Sequence, residues 1–89
     1  SKSFYFATRF FPPELARAAH GVYWFCRTTD DLVDEAPDLA TAQARLDEWD
    51  QRLRTALQGG ETDSPVLRLF AGVAAEYSIP HEYPLDLIE

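Results

Sequence analysis

Proline residues divide this chain into segments in which apolar side chains recur every three or four positions. Pro12-Pro13 opens the first segment, and Pro37 discourages its continuation beyond Ala36. The recurring residues between them are Leu15, Ala18, Ala19, Val22, Phe25, Cys26, Thr29, Leu32 and Val33. This spacing is that of one face of an α-helix, and no run of strand length alternates between apolar and polar residues. The sequence therefore predicts an all-α fold.

Two further helices are indicated downstream. The first extends from about Asp38 to Gln58, and Gly59-Gly60 ends it because glycine accepts the positive φ that helix C-termini favour. Its apolar stripe comprises Leu39, Ala42, Leu46, Trp49, Leu53 and Leu57. The second begins at Ser64-Pro65, and its inner side comprises Val66, Leu69, Phe70, Val73 and Tyr77. Short loops between these helices predict antiparallel packing.

Length and charge exclude several classes of protein. With 89 residues the chain allows one domain at most, and we expect residues 1–89 to be a single helical fragment of a larger protein. The 15 acidic residues outnumber the 8 basic ones, which argues against electrostatic binding to nucleic acid or to anionic lipid. The single cysteine, Cys26, excludes an internal disulfide and a multi-cysteine zinc site. Without a signal peptide or a membrane-spanning apolar run, the sequence predicts a cytoplasmic protein.

Acidic side chains are concentrated at the end of the first helix. Asp30 and Asp34 lie one helical turn apart, so they can offer oxygen atoms to the same cation. Tyr23 and Arg27 share their stripe, which is about 60° wide, and Asp31 lies at its edge. Neighbouring acids repel one another, and the helix dipole disfavours negative charge at this end. A hard divalent cation such as Mg²⁺ would offset the repulsion; the alternative is a solvated acidic helix end without a ligand.

Three elements of the first 36 residues occur in a characteristic order. They are Ser1-Lys2-Ser3-Phe4, the helix start at Pro12-Pro13, and the pattern Tyr23-x-x-Cys26-Arg27-x-x-Asp30-Asp31-x-x-Asp34. In this order they resemble the N-terminal part of the squalene/phytoene synthases, the head-to-head trans-prenyltransferases. The resemblance implies the N-terminal part of the all-α isoprenoid-synthase fold. It also implies condensation of two prenyl diphosphates through a cyclopropylcarbinyl diphosphate, with release of diphosphate.

The resemblance also implies roles for the side chains of the third element. Asp30 and Asp34 would bind Mg²⁺, with Asp31 as a supporting acid. Arg27 would contact the diphosphate. Tyr23 would lie beside the reacting centre, where it would hydrogen-bond to diphosphate or steady a cationic intermediate. An allylic diphosphate ionises readily only when its leaving group is neutralised, so these residue types suit the chemistry.

Substrate binding is implied for the first element as well. Ser1, Lys2 and Ser3 would form part of a flap over the diphosphate, and Phe4 would contribute to substrate binding. The substrate would be farnesyl or geranylgeranyl diphosphate, and NADPH would be required if the product is squalene. Because the products are hydrocarbons, the resemblance leaves room for peripheral contact with the inner face of the membrane.

A second aspartate-rich motif, which the family requires, does not follow Asp34 in this sequence. The nearest candidate, Asp47-Glu48-x-Asp50, lies on the polar face of an amphipathic helix and is a poor substitute. We therefore expect the 89-residue segment to be inactive alone and to need the remainder of a parent chain. Two alternatives stay open: a catalytically silent relative that serves as an interaction module, and a head-to-tail prenyltransferase or terpene cyclase.

Several other residues are expected to have structural roles. Phe4, Phe25 and Phe70 are expected in the core, and Cys26 as a small buried residue. His20 precedes Tyr23 by about one turn, but we expect it to pack or to lie on the surface.

Overall fold

Three α-helices account for most of the chain that the structure describes. The computed structural model describes residue 9 and residues 12–82. Helix α1 is Pro13–Asp34, α2 is Leu39–Leu57 and α3 is Pro65–Glu76. Residues 12–82 contain no β-strand, so the prediction of an all-α fold is confirmed. None of the helices in this range has the length and hydropathy that a bilayer crossing requires.

Side-chain caps begin α2 and α3. The Asp38 carboxylate accepts a hydrogen bond from the backbone N–H of Thr41 at 2.7 Å, and this bond holds the pKa of Asp38 below its ordinary value. The Ser64 hydroxyl accepts from the N–H of Leu67 at 3.2 Å, which confirms the predicted N-cap of α3. Asp38 and Gln58 are thus the caps of α2, and the predicted helix is one residue too long at each end.

A Schellman turn ends α2. Gly59 has φ +87°, and its N–H donates to the carbonyl oxygen of Ala56 at 3.1 Å. The N–H of Gly60 donates to the carbonyl oxygen of Thr55 at 2.9 Å. The predicted role of the glycine pair is confirmed, because these two bonds satisfy carbonyl groups that the helix leaves without partners.

The core lies where the three helices meet. The Phe25 ring stacks on Phe70 with ring centroids 4.2 Å apart and on Trp49 at 6.1 Å, so each helix contributes one aromatic side chain. The other buried members of this cluster are Leu53, Ala56, Val66 and Leu67. The predicted core positions of Phe25 and Phe70 are confirmed, whereas Phe4 lies outside the described residues. Cys26 is half-buried and packs against the cluster.

Contacts between α1 and α3 show how the chain reverses. The Tyr77 hydroxyl, just after α3, donates to the carbonyl oxygen of Glu14 near the start of α1 at 3.4 Å. Phe70, earlier along α3, contacts Phe25, later along α1. The two helices therefore run in opposite directions, as predicted.

Some residues of the predicted apolar faces are exposed. Leu39 is 87% exposed, because it lies in the first turn of α2 and the first buried residue of that helix is Ala42. Leu15 and Val33 are also largely exposed, near the two ends of α1 where the helix extends past the core. Tyr77, predicted on the inner side of α3, is the C-cap of that helix; its side chain is 42% exposed, and its hydroxyl contacts α1 at Glu14. Leu15, Val33 and Leu39 were predicted only as members of apolar faces, and their exposure shows that such a face can extend beyond the contact with neighbouring helices.

Replacing Gly72 by alanine is expected to raise the free energy of unfolding by about 0.5–1 kcal/mol. Gly72 is exposed within α3, and an added Cβ would meet no atom within 4 Å, so alanine gains helix propensity without a clash. Denaturant unfolding of the variant measures the effect. Gly59→Ala is the control and should destabilise, because Gly59 has a positive φ. A loss of stability in Gly72→Ala would contradict the open surroundings seen here.

Candidate functional site

The outer side of α1 carries the predicted site residues that the structure describes. Tyr23, Arg27, Asp30, Asp31 and Asp34 all belong to this helix. Arg27, Asp30 and Asp34 are exposed, and Tyr23 and Asp31 are half-buried. Their outward position follows from the helical period, because the residues that alternate with them, Phe25 and Thr29, are buried against α2 and α3.

Arg27 connects two of these side chains. Its Nε atom donates to Asp31 Oδ1 at 3.2 Å, and it also shares a side-chain hydrogen bond with Tyr23. The bond to Tyr23, followed by the bond to Asp31 and its charge, raises the pKa of Arg27 above its ordinary value. The Arg27 side chain nevertheless remains 63% exposed, so its other guanidinium N–H groups can reach an anionic ligand. Tyr23 and Asp31 thus orient the positively charged guanidinium of Arg27 at the protein surface.

Asp30 and Asp34 share the outer side of α1 with Arg27 but, unlike Asp31, do not pair with it. Within the described part of the chain neither forms an ion pair, and the last turn of α1 holds no basic residue. Two exposed carboxylates one turn apart are a donor set that Mg²⁺ accepts, since this ion is commonly held by one or two carboxylates together with waters and phosphates. No group of three or more His, Cys, Asp or Glu side chains in residues 12–82 converges in a metal-binding arrangement.

Cys26 lies half-buried on α1, one turn before Asp30. Burial, and then the negative charge of Asp30, raise the pKa of its thiol above the ordinary value. Both effects disfavour the thiolate, which is the form of cysteine that acts as a nucleophile or metal ligand.

An open groove of about 540 Å³ lies between α1 and α3, beside Arg27. It is lined by His20, Tyr23, Trp24, Arg27 and Leu69. No role in the site was predicted for His20, Trp24 or Leu69. The four residues from α1 follow the helical spacing i, i+3, i+4 and i+7, so a signal for three of the neighbours of Arg27 was present in the sequence. Leu69 has no such signal, because it comes from a different helix.

The remaining predicted residues fall into two groups. Ser1, Lys2, Ser3 and Phe4 lie outside the described residues, so their implied flap stays a prediction. On α2, Asp47 accepts a hydrogen bond from Gln43 at 2.9 Å, and Asp50 pairs with Arg54 at 3.1 Å. These two acids are engaged within their own helix, which agrees with the expectation that they are a poor substitute for a second metal-binding motif.

Comparison with known proteins relates this helical segment to one enzyme family. A family model described as squalene/phytoene synthase matches residues 1–89. The chain belongs to the squalene/phytoene synthase family. Its helices, with no strand in residues 12–82, agree with the all-α isoprenoid-synthase fold of that family.

Two of the relatives that the chain resembles are named as phytoene synthases. The chain is 39% identical over 92 residues to "Phytoene synthase" of Rhodobacter capsulatus, a match that covers 100% of this chain and 26% of the relative. It is 38% identical over 87 residues to "15-cis-phytoene synthase" of Synechocystis sp., covering 98% of this chain and 24% of the relative. The chain thus spans about a quarter of the length of these relatives. No solved structure gives a significant match.

Proposed function

We propose that this segment is the N-terminal part of a longer prenyltransferase that condenses two prenyl diphosphates head to head. The observation that supports it most directly is the pair of exposed acids, Asp30 and Asp34, which have no ion-pair partner in the described residues and follow an exposed, oriented Arg27. In a squalene/phytoene synthase family member, this combination suits a diphosphate that arrives together with a metal ion.

The acids and the arginine have complementary tasks in this proposal. Asp30 and Asp34 would hold Mg²⁺, which would supply positive charge to the departing diphosphate. Asp31 acts indirectly, because its contact with Arg27 keeps the guanidinium oriented. Arg27 donates hydrogen bonds to diphosphate oxygen atoms from its exposed side. The rest of the parent chain supplies the second set of acids.

The groove next to Arg27 suits the prenyl chain of the substrate, which is the end opposite the diphosphate. Trp24 and Leu69 offer apolar surface, and Tyr23 offers an aromatic ring beside the position of the leaving group. A carbocation formed when the carbon–oxygen bond breaks is stabilised by aromatic faces and must be kept from water. Tyr23 therefore has two tasks, since it also holds Arg27.

The relatives' names support the phytoene type of product. In that reaction the second diphosphate leaves and a proton is lost, so no reductant is needed; the squalene type requires NADPH. Geranylgeranyl diphosphate is the proposed substrate, and farnesyl diphosphate is the alternative. We propose that the protein does not bind nucleic acid. Because its product would be a hydrocarbon, we propose peripheral contact with the inner face of the membrane.

The activity is tested on the complete protein that contains this segment. Purified protein is incubated with geranylgeranyl or farnesyl diphosphate and Mg²⁺, with and without NADPH, and inorganic diphosphate and hydrocarbon products are measured. A C40 hydrocarbon formed without NADPH supports the proposal. A complete protein that releases no diphosphate from either substrate would instead indicate the catalytically silent relative.

Replacing Arg27 by glutamine is expected to weaken inorganic diphosphate binding in the presence of Mg²⁺ by roughly ten- to a hundredfold, which corresponds to one lost charge-assisted hydrogen bond. Isothermal titration calorimetry measures the affinity. Arg54→Gln is the matched control, because Arg54 is also exposed and also pairs with an aspartate four residues away. Equal affinity losses in the two variants would show that overall charge, not the position of Arg27, determines binding.

A further inference from the structure

The last turn of α1 is electrostatically unfavourable. It carries Asp30, Asp31 and Asp34 near the negative end of the helix dipole, without a basic residue in the same turn. Asp30 and Asp34 repel each other at their i, i+4 spacing. Apolar burial beyond Thr29 is partial, because Leu32 is half-buried and packs against the core cluster, whereas Val33 is exposed. A buried polar contact next to this turn would add to the packing of Leu32 in keeping the turn helical and correctly rotated.

Thr29 is the buried residue of α1 closest to this acidic turn. Its hydroxyl donates to the carbonyl oxygen of Phe25 at 2.9 Å and accepts from Trp49 Nε1 at 2.9 Å. Thr29 is 4% exposed and Trp49 is 5% exposed, so water does not compete for either bond. The Thr29–Trp49 bond therefore joins the end of α1 to the middle of α2 across the core.

Trp49 is itself held on two sides. Its ring stacks on Phe25, and the guanidinium of Arg52 lies 5.8 Å from the ring centroid. Arg52 in turn pairs with Asp63 in the connection between α2 and α3, at 2.6 Å. The indole N–H is thus presented at one place in the core, and a buried indole N–H needs an acceptor.

We propose that the Thr29–Trp49 hydrogen bond sets the rotation of α1 and so positions the acidic turn that follows it. If α1 turned about its axis, the indole N–H of Trp49 would be left buried without an acceptor. Arg27, Asp30 and Asp34 would then turn together, away from their present position relative to α2 and α3. Thr29 and Trp49 are positioning residues, since neither touches the ligand. The proposal that they serve ligand binding rests on the proposed function; the proposal that they hold the acidic turn does not.

Hydrogen exchange of backbone amides in the complete protein tests the structural step without any ligand. Thr29→Val keeps the shape of the side chain but removes the hydroxyl, and we expect exchange of amides 30–35 to become about tenfold faster, the effect of one lost buried hydrogen bond. Amides 18–25 should change little. Thr29→Ser keeps the hydroxyl and should restore slow exchange.

A matched control separates positioning from general loss of stability. Val73→Ala removes buried apolar atoms on α3, near Gly21 and away from Thr29. It should speed exchange across the helices without singling out amides 30–35. Should Thr29→Val fail to fold, Trp49→Phe replaces it, because this change removes the N–H and leaves the bond from Thr29 to Phe25. Unchanged exchange of amides 30–35 in Thr29→Val, or an equal local rise in Val73→Ala, would overturn the proposal.

Ligand binding tests the functional step separately. With inorganic diphosphate and Mg²⁺ as the ligands, we expect Thr29→Val to weaken Mg²⁺-dependent binding about three- to tenfold, the effect of up to one lost hydrogen bond, whereas Val73→Ala retains the affinity. If exchange rises locally but the affinity is unchanged, the bond holds the turn and its role in ligand binding is wrong. If replacing Asp30 and Asp34 also leaves Mg²⁺-dependent binding intact, the proposed metal site is wrong.

Discussion

Replacing Asp30 and Asp34 together by asparagine is expected to lower Mg²⁺-dependent turnover of the complete protein at least about a thousandfold. Metal coordination supplies several kcal/mol of charge stabilisation to a departing phosphate, and each 1.4 kcal/mol or so corresponds to a factor of about ten in rate. Asparagine has nearly the same size as aspartate but lacks the charge, so the variant tests the carboxylates rather than the packing. Both residues are exposed, and no core contact is lost.

The same variant should fold at least as stably as the unsubstituted protein. Removing the two charges relieves repulsion at the negative end of the α1 dipole, a gain of a few tenths of a kcal/mol. Turnover, Mg²⁺ titration and denaturant unfolding together measure this separation of activity from stability. An effect on stability of several kcal/mol would contradict it, because it would mean that the two acids hold the fold.

A control with the same change in charge is available on α2. Asp47→Asn combined with Glu48→Gln removes two negative charges from exposed positions outside the proposed site. This double variant should retain turnover and its Mg²⁺ dependence. If it loses as much activity as the α1 variant, net charge rather than a metal site accounts for the effect. Undiminished turnover in the α1 variant would rule out Asp30 and Asp34 as the essential ligands.

Replacing Phe25 by alanine is expected to lower the free energy of unfolding by about 3–5 kcal/mol, the usual range for removal of a buried aromatic side chain. Phe25 is 1% exposed and stacks on both Phe70 and Trp49. Its removal leaves a cavity where all three helices meet, and it withdraws the support of the Trp49 ring. Urea unfolding measures the change in midpoint and slope. The loss is a large share of the 5–15 kcal/mol or so that stabilises a typical domain.

The next residue in the chain provides the control for this prediction. Trp24 is larger than Phe25 but 44% exposed, because it lies on the outer side of α1. Trp24→Ala should therefore reduce the free energy of unfolding by less than about 1 kcal/mol, in the range of surface substitutions and part-buried apolar groups. Similar losses for the two variants would contradict the packing, since they would place both rings in the core.

Much of the helical architecture could be predicted from sequence because its signals are local. Pro13, Ser64 and the glycine pair after α2 act on the backbone within one or two turns, so the bounds of the helices were predicted closely. Leu15, Val33 and Leu39 belong to the apolar faces but are exposed, for a common reason. Helical periodicity indicates which side of a helix is apolar, but it does not show where along its length a neighbouring helix stops covering it.

For the candidate site, too, the spacing along the helix could be predicted and the pairing of side chains could not. The helical spacing of α1 by itself placed Tyr23, Arg27, Asp30 and Asp34 on one side of the helix, and their order indicated the enzyme family. It did not show that Arg27 pairs with Asp31, because Asp30 and Asp31 are both within reach of a long side chain and the rotamers decide between them. The role of the pattern in chemistry stays a prediction until the experiments above are made.

Tertiary structure alone decided which residues of different helices meet. The sequence determined that α1 has a buried side and an acidic outer side, since both follow from 3.6 residues per turn. Only the packing of three helices brought Trp49 to Thr29, twenty residues earlier, and Leu69 to the groove beside Arg27. Such pairings depend on the crossing of whole helices and on side-chain shape at their contacts, which no local pattern in this chain encodes.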